Sequence, residues 1–314
     1  MHLIDRAKRI LPFEDEDVSE LISNKMENQG VVIHRKANLK RIEQKNGQVE
    51  YEIENENGEI EVITVEKALL SIGRVPNIKS LNIENAGVAM SKRGVHIGDV
   101  DTQTNVPHIY AVGDVSGNWA LVNIGEREAR HAVVKMFADF SVKPIRYSNI
   151  STIMFLNPEV AAVGINVQHA IENNIPIRVS KVDYSTIARA IAMRKTNGFF
   201  KIIVSDDDDM KVLGMRAVGE HASSAIQGVA LLMYMGKGID ELAHMIHPHP
   251  SIVEGIQECV RMLLGKSIYK SSVFKDKLKC YRLVNGEKMP LNVIQKGDIS
   301  HLESSSKYHE YKED

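Results

Sequence analysis

The sequence contains little cysteine, and this limits the kinds of site that it can form. Cys259 and Cys280 are the only two in 314 residues. They lie too far apart for a C-x-x-C metal motif, and two cysteines do not make a disulfide framework. Such usage is typical of a reducing compartment and predicts a cytoplasmic location. It also removes the simplest route to thiol chemistry within this chain.

Membrane and nucleic-acid signals are also lacking. No apolar run approaches the ~18 residues that span a bilayer, and the chain does not open with a signal-peptide pattern. The 39 Lys and Arg are dispersed and balanced by 41 Asp and Glu, for a net charge of −2. No basic stripe therefore points to nucleic acid or to an anionic membrane. We expect a soluble globular chain of about two domains.

The N-terminal part of the chain has the pattern of a strand–helix–strand unit followed by a meander. An apolar strand at residues 2–5 precedes a helical stripe over 13–29, and a second buried strand follows at 31–33. Asn46-Gly47 and Asn57-Gly58 then separate segments of alternating polarity, which predicts three antiparallel strands joined by type I′ turns. A parallel sheet seldom begins with an unpaired strand, so we expect further sequence upstream.

The rest of the chain changes from α/β to α+β near residue 150. Strands are predicted at 68–72 and 108–112, a helix over 125–140 and a linker at 144–150. Beyond 266 the chain is rich in Lys, Ser and Glu, and we expect a polar, partly disordered extension. Between 150 and 265, strands are predicted at 153–155, 199–204 and 212–218, and helices at 167–173, 221–235 and 252–264.

Gly113 and Asp114 follow a predicted strand, where open α/β sheets bind their ligands. Gly113 permits close backbone approach, and Asp114 offers an acceptor to a ligand hydroxyl; a plain Gly-Asp turn is the simpler interpretation of these two residues alone. The whole string of residues 104–114, TNVPHIYAVGD, resembles the second FAD-binding motif of the flavoprotein disulfide reductases. The resemblance implies that Asp114 holds the ribityl chain of FAD and that Leu121 and Val122 line the flavin.

A second string, IHPHPSIVE at residues 246–254, precedes an apolar helix. Ser251 and Glu254 have the S-x-x-E spacing of a capping box, which would leave two solvent-exposed histidines without a function. The string also resembles the His-Pro-x-x-x-Glu signature of dihydrolipoamide dehydrogenases. That resemblance implies that His249 is the acid–base residue and Glu254 its orienting carboxylate, with His247 beside them. An imidazole titrates near neutral pH, and a carboxylate fixes its tautomer.

Three residues are candidates for a dinucleotide site. Asp5 closes the first strand, where an acidic residue accepts from ribose hydroxyls and disfavours a 2′-phosphate. It favours NAD over NADP, although Arg6 and Arg9 favour NADP. Gly73 and Arg74 begin the turn GRVPN, which resembles a Gly-Arg-x-Pro-Asn turn beside the nicotinamide and the flavin in the same family.

Residues 155–164, 189–200, 213–214 and 218–219 resemble the dimerisation domain of that family, and the likeness extends over about residues 2–265. It implies a pyridine nucleotide-disulfide oxidoreductase, most like dihydrolipoamide dehydrogenase. The fold class is then α/β and α+β. A partial FAD/NAD(P)-binding Rossmann-like domain with a meander (1–145) would precede an α+β dimerisation domain (150–265) and a polar extension (266–314).

The resemblance implies FAD and NAD as cofactors, a homodimer, and lipoyl-bearing subunits of a 2-oxo acid dehydrogenase complex as partners. In the family, the histidine acts on the thiols of the other subunit. The sequence has neither the N-terminal G-x-G-x-x-G nor the redox C-x-x-x-x-C, and the NAD glycine fingerprint is also absent. We therefore expect a piece of a longer enzyme that is inactive alone. The alternatives are a transhydrogenase-like or glutathione-reductase-like parent, with a mercuric reductase less favoured, or a non-catalytic dimerisation module.

No metal site is expected. Residues 206–209 are four aspartates, but they lack the alternating ligands and the late Glu of an EF-hand loop, and a solvated hairpin tip explains them. His244, His247 and His249 are interrupted by prolines that break helical spacing, and no cysteine lies near them in sequence.

Overall fold

The computed structural model describes residues 1–91, 94–95, 101–269 and 273–291. The chain divides into two compact units, one made of Met1–Thr64 with Asn149–Asp314 and the other of Val65–Ser148. Residues 270–272 and 292–314 of the predicted polar extension lie outside the described residues.

The N-terminal segment confirms the predicted strand–helix–strand unit. Strand β1 (His2–Ile4), helix α1 (Glu16–Glu27) and strand β2 (Val32–His34) follow one another, and the two strands pair in parallel. Val18 and Ile22 of α1 are buried, as the apolar spacing requires.

The predicted meander is present, but its two turns differ. It consists of β3 (Asn38–Lys45), β4 (Gln48–Glu54) and β5 (Ile60–Val65), in that order. Asn46 and Gly47 both have positive φ, 52° and 81°, as a type I′ turn needs. At the second turn Gly58 has positive φ and Asn57 does not. There Asn55 Oδ1 accepts the N–H groups of Asn57 and Glu59, so the expectation of a type I′ turn is wrong.

In the unit Val65–Ser148, the predicted helix is found as α2 (Val122–Phe137), whereas the two predicted strands are not formed. Residues 68–72 are exposed, with Leu69 and Ile72 each at 89%. Residues 108–112 contribute one isolated bridge, between Gln103 and Tyr110. Apolar composition alone does not make a strand, because backbone N–H and C=O groups need a neighbouring chain. No described residue pairs with 68–72.

The other unit contains a seven-stranded sheet in which every neighbouring pair is antiparallel. The spatial order is β12-β11-β8-β9-β10-β7-β6. The strands are β6 (Ser151–Met154), β7 (Val160–Gly164), β8 (Ile177–Asp183), β9 (Phe199–Ser205), β10 (Val212–Val218), β11 (Leu278–Val284) and β12 (Glu287–Pro290). The helices are α3 (Val167–Glu172), α4 (Ala188–Ala192), α5 (Ala222–Tyr234), α6 (Asp240–His244) and α7 (Glu254–Leu263).

Both faces of this sheet are covered at its centre. Phe200 faces a core shared with α5 and α7, whereas Phe199 faces a smaller core that includes Val18 and Ile22 of α1. A strand buried on both faces carries apolar residues on both faces rather than on one, which explains the apolar run of β9, interrupted by Lys201. Among the helices that the structure describes, none has the length and apolar character needed to cross a bilayer.

Part of the predicted polar extension beyond residue 266 forms an ordered hairpin, which the sequence did not predict. Strand β11 pairs with the edge of β8, and β12 folds back onto β11 through Asn285 and Gly286, both at positive φ. Leu278 and Leu283 are buried and anchor this hairpin to the sheet.

Buried ion pairs join the segment around the start of α1 to the sheet. Lys201 of β9 is 3% exposed, and its Nζ lies 2.8 Å from Asp15 Oδ2 and 2.5 Å from Asp17 Oδ1. Arg216 of β10 donates its Nε–H to Glu14 Oε2 at 2.6 Å. Buried charges are tolerated when they are paired in this way.

Candidate active site

His249 lies in the connection between α6 and α7, and its ring contacts Glu254, the first residue of α7. Its Nδ1 is 2.7 Å from Glu254 Oε1, while Glu254 Oε2 accepts the backbone N–H of Ser251 at 2.8 Å. The imidazole is 73% exposed and the carboxylate 25%. The carboxylate thus fixes Nδ1 as the protonated nitrogen of the neutral ring and leaves Nε2 as an accessible base. The His249–Pro250 peptide bond is cis.

The electrostatics of Glu254 favour its ionised form. Partial desolvation raises its pKa, but the Ser251 N–H donor and the His249 imidazole outweigh that effect, and the net pKa is lowered. An ionised Glu254 holds the His249 ring and stabilises the imidazolium that forms when the ring takes a proton.

Of the two hydrogen bonds that define a capping box, the structure contains one. Glu254 accepts from Ser251 N–H as such a box requires. The hydroxyl of Ser251, however, is buried without a hydrogen-bond partner in the described residues, and α7 is preceded by Val253.

The two histidines differ in exposure, so the expectation that both are solvent-exposed is wrong for His247. That ring is 9% exposed, and its Nδ1 lies 3.1 Å from the Met245 carbonyl. Burial lowers the pKa of His247, because desolvation disfavours the imidazolium.

Asp114 and Arg74 form the second group of predicted residues, within the unit Val65–Ser148. Gly113 begins a 3₁₀ turn at φ 71°, and the Asp114 side chain that follows is 46% exposed. Arg74 Nη2 lies 2.7 Å from Asp114 Oδ2. The structure therefore joins one residue predicted for FAD with one predicted for NAD.

Sequence reasoning missed Glu128, which supports this turn. The side chain is fully buried on α2, and its Oε2 accepts the Gly113 N–H at 2.6 Å. Its Oε1 accepts the Tyr147 hydroxyl at 2.9 Å. The signal in the sequence is spacing: Ile124, Glu128 and His131 lie at helical intervals that place them on one face, and the structure buries that face of α2.

The other predicted cofactor residues are placed as follows. Leu121 is the N-cap residue of α2 and is partly buried, and Val122 is 84% exposed. Asp5 accepts the Ala7 N–H through Oδ1 at 2.8 Å, which caps the turn after β1. Arg9 is bound to the carbonyls of Leu11 and Pro12.

The aspartates at 206–209 have protein partners. Asp206 is 3% exposed and is bound by Arg178 at 2.9 Å and by Arg282 at 2.5 Å. Asp207 accepts from the Ser205 hydroxyl and the Met210 N–H. In the part of the chain that the structure describes, no cluster of three or more His, Cys, Asp or Glu has a metal-binding arrangement.

Two sequence profiles match the chain. One, described as "Pyridine nucleotide-disulphide oxidoreductase", matches residues 1–129, and the other, described as its dimerisation domain, matches residues 150–260. Dihydrolipoyl dehydrogenase of Chlamydia pneumoniae is 32% identical over 252 residues, which are 80% of this chain and 53% of that protein. The enzyme of Rhizobium etli is 30% identical over 84% of this chain and 54% of its own length.

Solved structures agree with these matches. LpdA from Mycobacterium tuberculosis superposes with a TM-score of 0.75 at 25% identity, over 83% of this chain and 56% of that one. RclA from Escherichia coli, an HOCl-induced flavoprotein disulfide reductase, gives 0.74 at 27% identity, over 83% and 59%. The chain thus spans little more than half the length of the relatives that it matches.

Proposed function

The chain belongs to the pyridine nucleotide-disulphide oxidoreductase family, and from this premise we propose that it provides the acid–base half of a dihydrolipoyl dehydrogenase-like oxidoreductase. The reaction is the transfer of electrons from a dithiol through FAD to NAD, and family members use FAD and NAD(P). The observation that carries the proposal is the 2.7 Å contact between His249 Nδ1 and Glu254 Oε1 beside an exposed imidazole.

In this proposal His249 Nε2 takes the proton of the attacking thiol, and Glu254 holds the ring and its charge. The thiolate is the reactive form of sulfur, so removal of this proton is the step that an imidazole near neutral pH serves best. The redox thiols come from outside these 314 residues. The substrate is a protein-bound dihydrolipoyl group on lipoyl-bearing subunits of a 2-oxo acid dehydrogenase complex, in the cytoplasm.

The cofactor residues fit the expected groups. The Asp114 carboxylate is exposed. A Cβ placed on the preceding residue, Gly113, would lie 3.7 Å from Gly125 Cα, an ordinary van der Waals distance. A sugar-alcohol hydroxyl of FAD would donate to this carboxylate in place of Arg74, and Gly113, Leu121 and Val122 are the other residues that we propose for FAD. When bound, FAD supplies the electron transfer between dithiol and nucleotide. For NAD we propose Asp5 in one unit and, separately, Gly73 and Arg74 in the other.

A homodimer is part of the proposal, since the chain contains the dimerisation domain of its family. The domains we assign are 1–145 for the partial nucleotide-binding region, 150–265 for dimerisation and 266–314 for the extension.

A non-catalytic dimerisation or binding module is the second candidate, favoured by the state of the two cysteines. Cys259 is fully buried, and burial raises its pKa. Burial also raises the pKa of Cys280, to about 12. Neither thiol forms a thiolate readily near neutral pH, so neither replaces a redox pair. A transhydrogenase-like or glutathione-reductase-like parent would share the FAD residues and differ in its disulfide substrate.

The test is reconstitution. Alone, the purified chain should carry little flavin and no dihydrolipoamide–NAD turnover; isolation as a yellow protein with stoichiometric FAD would contradict this expectation. Mixed with a polypeptide that supplies the FAD glycine motif and C-x-x-x-x-C, it should gain turnover, and His249→Gln should reduce this by a factor of about 10²–10⁴. His244→Gln, on α6, is the matched control. Equal turnover for both variants would remove His249 from the mechanism, and no turnover in any mixture would favour the binding module.

A further inference from the structure

Glu128 is a fully buried carboxylate whose two oxygens both accept hydrogen bonds from distant parts of the same unit. Oε2 accepts from Gly113 N–H at 2.6 Å and Oε1 from Tyr147 O–H at 2.9 Å. Burial and the interaction with Glu128 raise the pKa of Tyr147, which keeps its phenol protonated as the donor. The arrangement links α2, the turn at Gly113 and the segment after α2.

The turn that Glu128 holds is the one from which Asp114 extends. Gly113 starts the 3₁₀ turn, and α2 lies directly against it, since a Cβ on Gly125 would be 3.3 Å from Gly113 Cα. Without the carboxylate, the Gly113 N–H would lose its acceptor on this side, and an unsatisfied polar group favours a rearranged backbone. A shift of Gly113 moves Asp114, the next residue.

We propose that Glu128 is a positioning residue of the Asp114 site, which fixes the Gly113 backbone so that the Asp114 carboxylate is held ready for a ligand rich in hydroxyl groups. The proposal rests on the proposed role of Asp114 toward the ribityl chain of FAD. Glu128 is buried and acts only through the turn. A carboxylate serving packing alone would be replaced by leucine with little effect on the ligand.

Three variants separate these roles. Glu128→Leu keeps the approximate volume and removes both acceptors. Glu128→Gln offers its amide oxygen to Gly113 N–H and its amide N–H to the Tyr147 oxygen, so it should restore the turn. Tyr147→Phe removes the outer hydrogen bond and leaves the Gly113 contact. Glu126→Leu, at an exposed position of the same helix, is the control.

The experiment measures hydrogen exchange of the Gly113 amide, FAD affinity by flavin fluorescence, and unfolding in urea, on the whole chain. Glu128→Leu should speed exchange and weaken FAD binding, each about tenfold, while the Gln variant and the Glu126→Leu control stay near wild type. In an Asp114→Ala background, Glu128→Leu should cause no further loss of FAD affinity, because both changes act on one carboxylate.

Additive losses in that double variant, or failure of the Gln variant to restore binding, would overturn the positioning role. The chain alone should bind FAD weakly, because it lacks the FAD glycine motif, so where its affinity is too low to measure the titration is made in the reconstituted mixture with the polypeptide that supplies this motif. Absence of FAD binding in that mixture removes the proposed FAD role of Asp114, and Gly113 exchange alone then decides on Glu128. The positioning role is then supported if Gly113 exchanges faster in Glu128→Leu while its exchange in Tyr147→Phe remains close to that of wild type. Unchanged exchange in Glu128→Leu refutes it.

Discussion

The Glu254 carboxylate contacts both the His249 ring and the Ser251 N–H. The stability that these contacts provide therefore depends on the ionisation of Glu254 and on pH. The pKa of Glu254 in the folded chain is below the ordinary 4.5. A lowered carboxyl pKa contributes stability that is present above the unfolded value and is lost as pH falls through the folded value. We expect Glu254→Gln to lower the free energy of unfolding relative to wild type at pH 7, and the gap to narrow as the pH falls below about 4.5.

Urea unfolding of both proteins at intervals from pH 7 to pH 3 measures this gap. Glu241→Gln on α6 controls for the loss of one negative charge from an exposed side chain paired with Lys237. A gap that stays constant down to pH 3 would contradict the linkage.

Gly164, at the end of β7, is a residue whose replacement the backbone does not tolerate. Its φ is 65°, and an added Cβ would lie 2.1 Å from the Leu213 carbonyl oxygen. We expect Gly164→Ala to destabilise the chain by about 2–4 kcal/mol, from the steric clash and the strained φ together.

Gly228→Ala is the matched control, because this glycine lies inside α5 and an added Cβ meets nothing within 4 Å. That substitution should stabilise by about 0.5–1 kcal/mol through helix propensity. Thermal unfolding of the two variants, measured by circular dichroism, compares them directly; equal melting temperatures would refute the steric argument.

The sequence predicts the side-chain contacts of some candidate residues and not of others. His249 and Glu254 are five positions apart, so a motif could predict that they belong together. Their contact is present, and their catalytic roles stay a prediction. Two separate motifs assign Asp114 to FAD and Arg74 to NAD, and neither motif indicates the ion pair between the two residues. Contacts of that kind are set by tertiary packing, which local patterns do not encode.

At the scale of elements, the predictions succeed where the neighbour is local. The meander β3–β5 follows from alternation and its turns, and α5 and α7 follow from helical spacing. Residues 68–72 have the same apolar character as a strand, yet they form no strand pairing with the described residues. The hairpin β11–β12 has an Asn-Gly turn at Asn285-Gly286, like the one at Asn46-Gly47. Its high Lys and Glu content led to the prediction of a polar extension, although two of its leucines are buried.

The ion pairs around Lys201 are an element-scale contact, since they join α1 and the segment before it to β9. Removing one partner of a buried pair leaves an uncompensated charge, so Lys201→Met should destabilise by about 3–5 kcal/mol. Desolvation raises the pKa of Asp17, but Lys201 and Lys181 outweigh this and lower it. The stabilisation that Asp17 provides is therefore present above its ordinary 3.8 and is lost as pH falls further.

Chemical unfolding of Lys201→Met at pH 7, beside the exposed control Lys288→Met on β12, measures the difference. A quadruple variant in which Lys201, Lys181, Asp15 and Asp17 are all replaced by apolar residues should recover much of the loss, because no charge of this cluster then remains unpaired. A single variant as stable as the control would show that these pairs do not hold α1 to the sheet.

For the whole molecule, the distribution of exposed apolar side chains bears on assembly. Ile246 is 94% exposed, Phe155 80% and Met235 60%, all in the seven-stranded unit. Large exposed apolar side chains in a domain that matches the dimerisation profile are candidates for the interface between two copies. A two-fold dimer uses the same surface on both copies, so one substitution changes the interface twice.

We therefore expect the chain to sediment as a dimer at micromolar concentration and Ile246→Asp to weaken association at least about tenfold, because each copy would bury an unpaired carboxylate. Phe137→Asp is the matched control, since Phe137 is 82% exposed but lies on α2, outside the domain that matches the dimerisation profile. Sedimentation velocity over a hundredfold range of concentration separates the two variants. A wild-type monomer throughout that range, or an equal loss of dimer in both variants, would contradict the assignment. It would also leave His249 without the second subunit on whose thiols the proposed reaction depends.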